Sequence, residues 1–133
     1  MVMNIPWLAE YDTQIKLIDE QHRILVGMIN AIESADAAAL NHLVLQLADY
    51  ASLHFDTEEI LMHQYGFPGE AAHCIEHQTF SGQVARLIEE KKAGIALDKA
   101  NLFAFLQVWL LNHIAKSDQE LARHLLATPA FHQ

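Results

Sequence analysis

The stretch HCIEH, from His73 to His77, has the form H-x-x-E-H. On a helix this spacing can supply two zinc ligands and a catalytic glutamate, the arrangement of one class of metalloproteases. The chain has nine histidines among its 133 residues, so these two can also belong to a larger metal site. The rest of the sequence decides between a small zinc protease and a centre for another metal.

The elements that would carry these histidines are helical. Glycine and proline together are few, and apolar residues recur at alternating spacings of three and four, which predicts helices over roughly 13–34, 38–64, 70–92 and 98–126. Asp12 or Thr13 is the expected N-cap of the first helix and Asp98 that of the fourth. Because the connections are short, consecutive helices must be antiparallel neighbours. We therefore predict an all-α protein: one domain over residues 1–133, an up-down-up-down antiparallel four-helix bundle with an extended N-terminal arm.

Each predicted core face contains a histidine in place of an apolar residue. Burying an imidazole without a partner costs about 1–3 kcal/mol, so each of them needs one. If each histidine had its own separate partner, there would be no reason for all four to lie at the same height in the bundle. Distances counted along the sequence from the shared loops nevertheless put all the inward-facing polar residues at one height. The predicted inward set is His22, His54, Glu58, His73, His77, His113 and Asp118.

The spacing within each helix supports this set with one exception. His54 and Glu58, like His73 and His77, are four residues apart and separated by only about 40° around a helix. His113 and Asp118 are five apart, about 140° on a regular helix, so we predict a local distortion such as a widened turn.

Other candidates point away from the layer. Glu76 lies on the flank of its helix, where a surface ion pair or a contact behind a ligand is expected, and without it the protease interpretation fails. Cys74 is expected to be a packing residue. The remaining histidines are expected at the surface or rim: His42, His63, His124 and His132.

Seven ligands exceed the needs of one zinc ion, which takes three protein ligands and a water in catalytic sites. Imidazole with carboxylate and no thiolate suits iron or manganese, and iron is favoured for oxygen chemistry. If both carboxylates and one solvent-derived oxo or hydroxo group bridge two irons, the five histidines divide into three and two. One open coordination position results, and it suits O2.

Charge and hydropathy exclude other classes. Eight basic against seventeen acidic residues give a net charge of −9, which disfavours nucleic acid and anionic lipid surfaces. No stretch has the length and apolarity of a membrane helix, and no targeting signal is visible. With a single cysteine, the sequence predicts a soluble, cytoplasmic protein.

The pattern of a histidine on the first helix, HxxxE on the second, HxxxH on the third and HxxxxD on the fourth resembles the hemerythrin family. The resemblance runs through IDEQH, HFDTEEILM, YGFP, HCIEHQTF and VWLLNHIAKSD, and the chain looks like a single-domain bacterial member. It implies that His73, His77 and His113 hold the saturated iron, that His22 and His54 hold the open one, and that Glu58 and Asp118 bridge. It also implies that Phe80, Trp109 and Leu110 line an apolar O2 pocket near the open iron.

We therefore expect a non-enzymatic protein, without catalytic residues, that binds O2 reversibly for storage, delivery or sensing. The alternatives are a di-iron oxidase, peroxidase or nitric oxide-processing enzyme, and an iron- or oxygen-dependent sensor module. The layer has no Glu-x-x-His motif of the kind found in oxygen-activating centres, which favours the carrier. A redox or delivery partner remains open.

Overall fold

The computed structural model describes residues 3–133, which form a bundle of helices. Helix α1 spans Lys16–Asn30, α2 Ala37–Gln64 and α3 Glu70–Lys92. The fourth rod of the bundle consists of α4 (Lys99–Asn112), a π-helical segment (His113–Ser117) and α5 (Asp118–Leu126). No strand occurs in the described residues, and the predicted all-α four-helix fold is confirmed. The assignment of residues 1–133 to one domain stays a prediction, and its first two residues lie outside the described range.

The ends of α2 and of the fourth rod follow from local chemistry. Asp36 caps α2 by accepting a hydrogen bond from the Ala39 amide at 2.8 Å, and Asp98 caps α4 in the same way from Asn101 at 3.1 Å. The predicted cap at Asp98 is thus confirmed. Beyond α2, Gly66 adopts a left-handed φ of 62°, which glycine accommodates without strain. These turns set the lengths of the helices and hence the heights of the residues they carry.

The predicted start of the first helix is wrong. Residues 13–15 are not helical, because Gln14 has a left-handed φ of 67° and the N-cap position falls at Ile15. Thr13 instead forms a turn in which its amide and hydroxyl both donate to Asp19 Oδ1, at 2.9 and 2.8 Å. The side chain of Asp19, in the first helical turn, therefore holds the segment that the sequence predicted to be helix.

Residues 3–8 contain no regular secondary structure, and a 3-10 helix follows at Ala9–Tyr11. The Ile5 amide donates to Asn30 Oδ1 at 2.6 Å, and Asn30 Nδ2 donates back to the Ile5 carbonyl at 3.0 Å. These bonds attach the beginning of the described chain to the end of α1. The extended arm stays a prediction.

Buried apolar side chains form two clusters on either side of a polar layer. The larger cluster includes Leu25, Leu47, Phe80 and Leu106, and the smaller one is built around Ile18, Met62 and Leu121. Between them, in the order of each helix, lie the histidines and carboxylates of the predicted inward set. Within the described chain, no helix has the length and apolarity needed to cross a membrane.

Candidate metal centre

All seven side chains of the predicted inward set lie in one buried layer between the two apolar clusters. None of them is more than 3% exposed. Each of the five histidines directs Nε2, rather than Nδ1, toward the carboxylates of Glu58 and Asp118. Four helical rods therefore deliver imidazole nitrogens and carboxylate oxygens to the same small volume.

The two carboxylates divide the histidines into a group of three and a group of two. Glu58 Oε1 lies 3.0 Å from Nε2 of both His73 and His77 and 3.6 Å from that of His113. Its other oxygen, Oε2, lies 3.1 Å from His54 Nε2 and 3.5 Å from His22 Nε2. Each oxygen of Glu58 thus faces a different group.

The two carboxylate oxygens of Asp118 also face different histidine groups. Its Oδ1 lies 3.2 Å from Nε2 of His73 and of His113, and its Oδ2 lies 2.8 Å from His22 Nε2. The four-residue sets formed on the two sides have ligand atoms all within 4.8 Å of one another. We call His73, His77 and His113 the three-histidine group, and His22 and His54 the two-histidine group.

The layer fits metal ions because its polar atoms are aimed at shared points rather than at one another. Within residues 3–133, six buried atoms form no hydrogen bond: both ring nitrogens of His22, His54 Nε2, Glu58 Oε2 and both carboxylate oxygens of Asp118. Leaving one such atom unpaired costs about 1–3 kcal/mol. Contacts as short as 2.8 Å without hydrogen-bond geometry are the arrangement that a cation placed between the atoms would satisfy.

Electrostatic interactions in the layer are strong. Burial acts to lower the pKa of His22, but the nearby negative charges of Asp118 and Glu58 outweigh it and raise the pKa to about 9. The pKa of His73 rises to about 9 for the same reasons, against the same effect of burial. Burial acts to raise the pKa of Asp118, as does the charge of Glu58, yet His113 and His22 hold it well below its usual range. In the metal-free layer the carboxylates are therefore charged and several histidines carry protons.

The π-helical segment His113–Ser117 brings Asp118 into the layer. In a π turn the backbone hydrogen bond joins residues i and i+5, so residues five apart lie on one face. His113 and Asp118 are consequently both buried, at 2% and 0% exposure. The predicted distortion is confirmed.

Three histidines are held from behind by side-chain hydrogen bonds. His54 Nδ1 bonds Gln21 Oε1 at 2.7 Å, His77 Nδ1 bonds Glu59 Oε2 at 2.8 Å, and His113 Nδ1 bonds Glu76 Oε1 at 2.9 Å. Such contacts orient metal-binding imidazoles and set which ring nitrogen is free.

Glu76 lies outside the layer, as its flank position predicted. The hydrogen bond from His113 lowers the pKa of Glu76 to about 2, with a further contribution from Ser117. Sequence reasoning missed Gln21 and Glu59. Each of them is adjacent in sequence to an inward-facing residue and lies on the side of its helix that is turned toward a neighbouring helix. That position could have predicted a hydrogen bond to a histidine on the neighbouring helix.

Aromatic rings cover the layer on the side of the larger apolar cluster. Phe55 stacks on His77 with ring centroids 4.0 Å apart, and its centroid lies 5.9 Å from that of His54. Trp109 stacks on His113 at 4.6 Å, and Phe80 lies 4.6 Å from Trp109. Trp109 therefore contacts the three-histidine group and Phe80 packs against Trp109, whereas Phe55 contacts both groups.

The other histidines and the cysteine stand apart from the layer. His42 and His132 are exposed, the His63 side chain is 87% exposed, and His124 Nε2 bonds the Tyr65 carbonyl at 2.7 Å. Cys74 is partly buried against the smaller apolar cluster, as a packing residue would be. All five predictions of position are confirmed.

Known proteins resemble this chain in sequence and in fold. Residues 13–125 match the model of the hemerythrin HHE cation binding domain. A bacteriohemerythrin from Stenotrophomonas maltophilia is 34% identical over 125 residues, covering 91% of this chain and 81% of that protein. A bacteriohemerythrin from Methylococcus capsulatus is 32% identical over 115 residues, covering 84% and 88%.

A crystal structure of wild-type hemerythrin superimposes with a TM-score of 0.87 at 30% identity, covering 92% of this chain and 98% of that one. The fold and the buried layer define a four-helix protein with a histidine- and carboxylate-rich site able to hold metal ions. The chain belongs to the hemerythrin family.

Proposed function

We propose that this protein holds two iron ions in the layer and binds O2 reversibly at one open coordination position. The observation that supports this most directly is the unequal division of five Nε2 atoms by two carboxylates that each face both groups. His73, His77 and His113 would complete one coordination sphere, together with Glu58, Asp118 and a solvent-derived oxo or hydroxo bridge. With only His22 and His54, the second sphere keeps one place. When bound, the two irons supply the electrons that O2 binding requires.

The surroundings of the layer favour a small apolar ligand over an organic substrate. The seven side chains are at most 3% exposed, and apolar clusters close the layer on both sides. Phe55, which contacts both histidine groups, and Leu110, in the same cluster, would form part of the wall of an O2 pocket. Excluding water in this way protects a reactive bound ligand from side reactions. The pocket roles of Phe80 and Trp109 belong to this proposal.

The layer also has no spare acid. Among the described residues, the other buried side chains with polar groups are Thr13, Gln21 and Tyr11, and none of them donates a proton readily, since burial raises the pKa of the Tyr11 phenol. Reduction of O2 to water or peroxide requires protons delivered at the ligand, so their absence favours release of O2 unchanged. The lack of a proton donor beside the layer thus favours the carrier over the oxidase and peroxidase alternatives.

The test is repeated oxygenation of the iron-loaded protein. We expect reduced protein under argon to gain a visible absorption band on exposure to O2 and to lose it under vacuum, over several cycles. A matched control is His63→Gln, which alters an 87% exposed side chain outside the layer and should leave the cycles unchanged. Direct one-way oxidation, or steady consumption of O2 with a reductant well above the rate of autoxidation, would instead support the enzyme. An O2-dependent change in oligomer size would support the sensor.

A further inference from the structure

A chain of three hydrogen bonds leads outward from His54 of the two-histidine group. The Thr57 hydroxyl donates to the Leu53 carbonyl at 2.9 Å, so its oxygen is free to accept from Gln21 Nε2 at 3.2 Å. Because the amide nitrogen of Gln21 is engaged there, its Oε1 faces His54 Nδ1 at 2.7 Å. An amide oxygen only accepts, so Nδ1 must carry the proton and Nε2 keeps its lone pair for the layer.

The bonds behind the three-histidine group differ in charge. His77 and His113 each donate from Nδ1 to a carboxylate, Glu59 and Glu76 respectively. A carboxylate partner raises the basicity of a metal-binding imidazole more than a neutral amide does. His22 Nδ1 has no hydrogen-bond partner in the described part of the chain. The three-histidine group is thus backed by two negative charges and the two-histidine group by none.

We propose that Gln21, held in one orientation by Thr57, is a positioning residue that keeps His54 a correctly protonated but weakly donating ligand. The two-histidine position is then the weaker of the two and the poorer in electrons. Iron held there by His22 and His54 would give up electrons less readily, which would favour release of O2 over permanent oxidation. This inference rests on the two-metal site of the proposed function, but not on O2 binding.

A purely structural role is the rival explanation. Gln21 and Thr57 join α1 to α2, and the bond between them could serve packing alone. Packing does not depend on which end of the amide faces His54 or on the charge of residue 21. Variants that change only these two properties separate the explanations.

The experiment is a zinc titration of the full-length protein with three variants. Thr57→Val removes the acceptor and lets the amide rotate, which should weaken the weaker zinc position about tenfold or more. Thr57→Ser keeps the hydroxyl and should behave like the unaltered protein. Gln21→Glu places a carboxylate behind His54 and should strengthen the weaker position about tenfold, with the stronger position unchanged in all three.

A second readout is the 15N spectrum of histidine in the zinc-loaded protein. We expect a signal from a proton-bearing Nδ1 of His54 in the unaltered protein and in Thr57→Ser. In Thr57→Val we expect this signal to be lost, or its proton to exchange faster with solvent. The inference is overturned if Thr57→Val matches Thr57→Ser, or if the variants weaken both positions equally with a lowered melting temperature. Binding of fewer than two zinc ions by the unaltered protein would overturn it together with the proposed function. If the protein binds two zinc ions and the variants behave as expected, but the iron-loaded protein shows no reversible oxygenation, only the proposed function is overturned.

Discussion

Loading of metal into the metal-free protein should release protons, in a number set by the layer. The pKa values of His22 and His73 are raised to about 9 and that of His113 lies well above its usual value, chiefly because Asp118 and Glu58 outweigh the effect of burial. For His22 and His73, a pKa about two units above pH 7 means that about 99% of each imidazole is protonated there. A metal ion binds only the neutral imidazole. At pH 7 metal binding by His22, His73 and His113 should therefore displace about three protons from these imidazoles.

Because protons compete with zinc for the same imidazoles, the zinc affinity should fall as the pH falls. Each displaced proton lowers the overall zinc affinity about tenfold for every unit by which the pH falls below the pKa of its imidazole. His22 and His73 together should therefore lower the affinity about a hundredfold per unit below pH 9, His113 should act in the same direction, and the part due to His22 and His73 should flatten above pH 9. Calorimetric titration with zinc in buffers of different ionisation enthalpy measures the proton count directly. Release of one proton or fewer at pH 7, or an affinity that does not change between pH 7 and 9, would refute this description of the layer.

Three further outcomes are expected. Because the pKa values of His22 and His73 rise on folding from 6.5 to about 9, the unfolding free energy of metal-free protein, measured with urea, should fall as the pH rises from 6.5 through 9; a rise over this range would contradict it. Residues five apart share a face in a π turn, as residues four apart do in an α turn, so deleting the exposed Ala115 should keep Asp118 in the layer and both metal ions bound by elemental analysis. Inserting one alanine there should instead turn Asp118 out of the layer, and at least one metal ion should be lost. Equal metal losses in both variants would contradict the role assigned to the π turn. Met62→Ala removes a fully buried side chain of the smaller cluster and should cost about 2–5 kcal/mol in urea unfolding with two metal ions retained, and a cost below about 1 kcal/mol would mean that this cluster adds little.

The height and direction of the layer could be predicted because a helix has a fixed rise and rotation per residue. Counting from the loops placed His22, His54 and His113 at one level, and the five-residue spacing from His113 to Asp118 required a widened turn. The structure contains that turn at His113–Ser117. Both conclusions needed only the spacing of the inward-facing residues along the sequence. A helix fixes the height and direction of each side chain from that spacing.

The remaining features depend on side chains whose partners lie on other elements. Gln14 takes a left-handed φ because Thr13 bonds Asp19, a local competition that helical periodicity does not reveal. Gln21 and Glu59 are next to inward-facing residues, and the sequence alone predicts only that they belong to the polar flank of their helices. Their contacts with His54 and His77 depend on how α1 packs on α2 and α2 on α3, which the spacing within one helix does not determine.

The central claim is that two metal ions are shared unequally by five histidines and bridged by two carboxylates. A crystal structure of the iron-loaded protein, with anomalous scattering recorded at the iron edge, tests it most directly. The account predicts two peaks, one bound by Nε2 of His73, His77 and His113 and the other by Nε2 of His22 and His54, with Glu58 and Asp118 each bound to both. A single peak, or two irons that share the histidines in any other way, would contradict it.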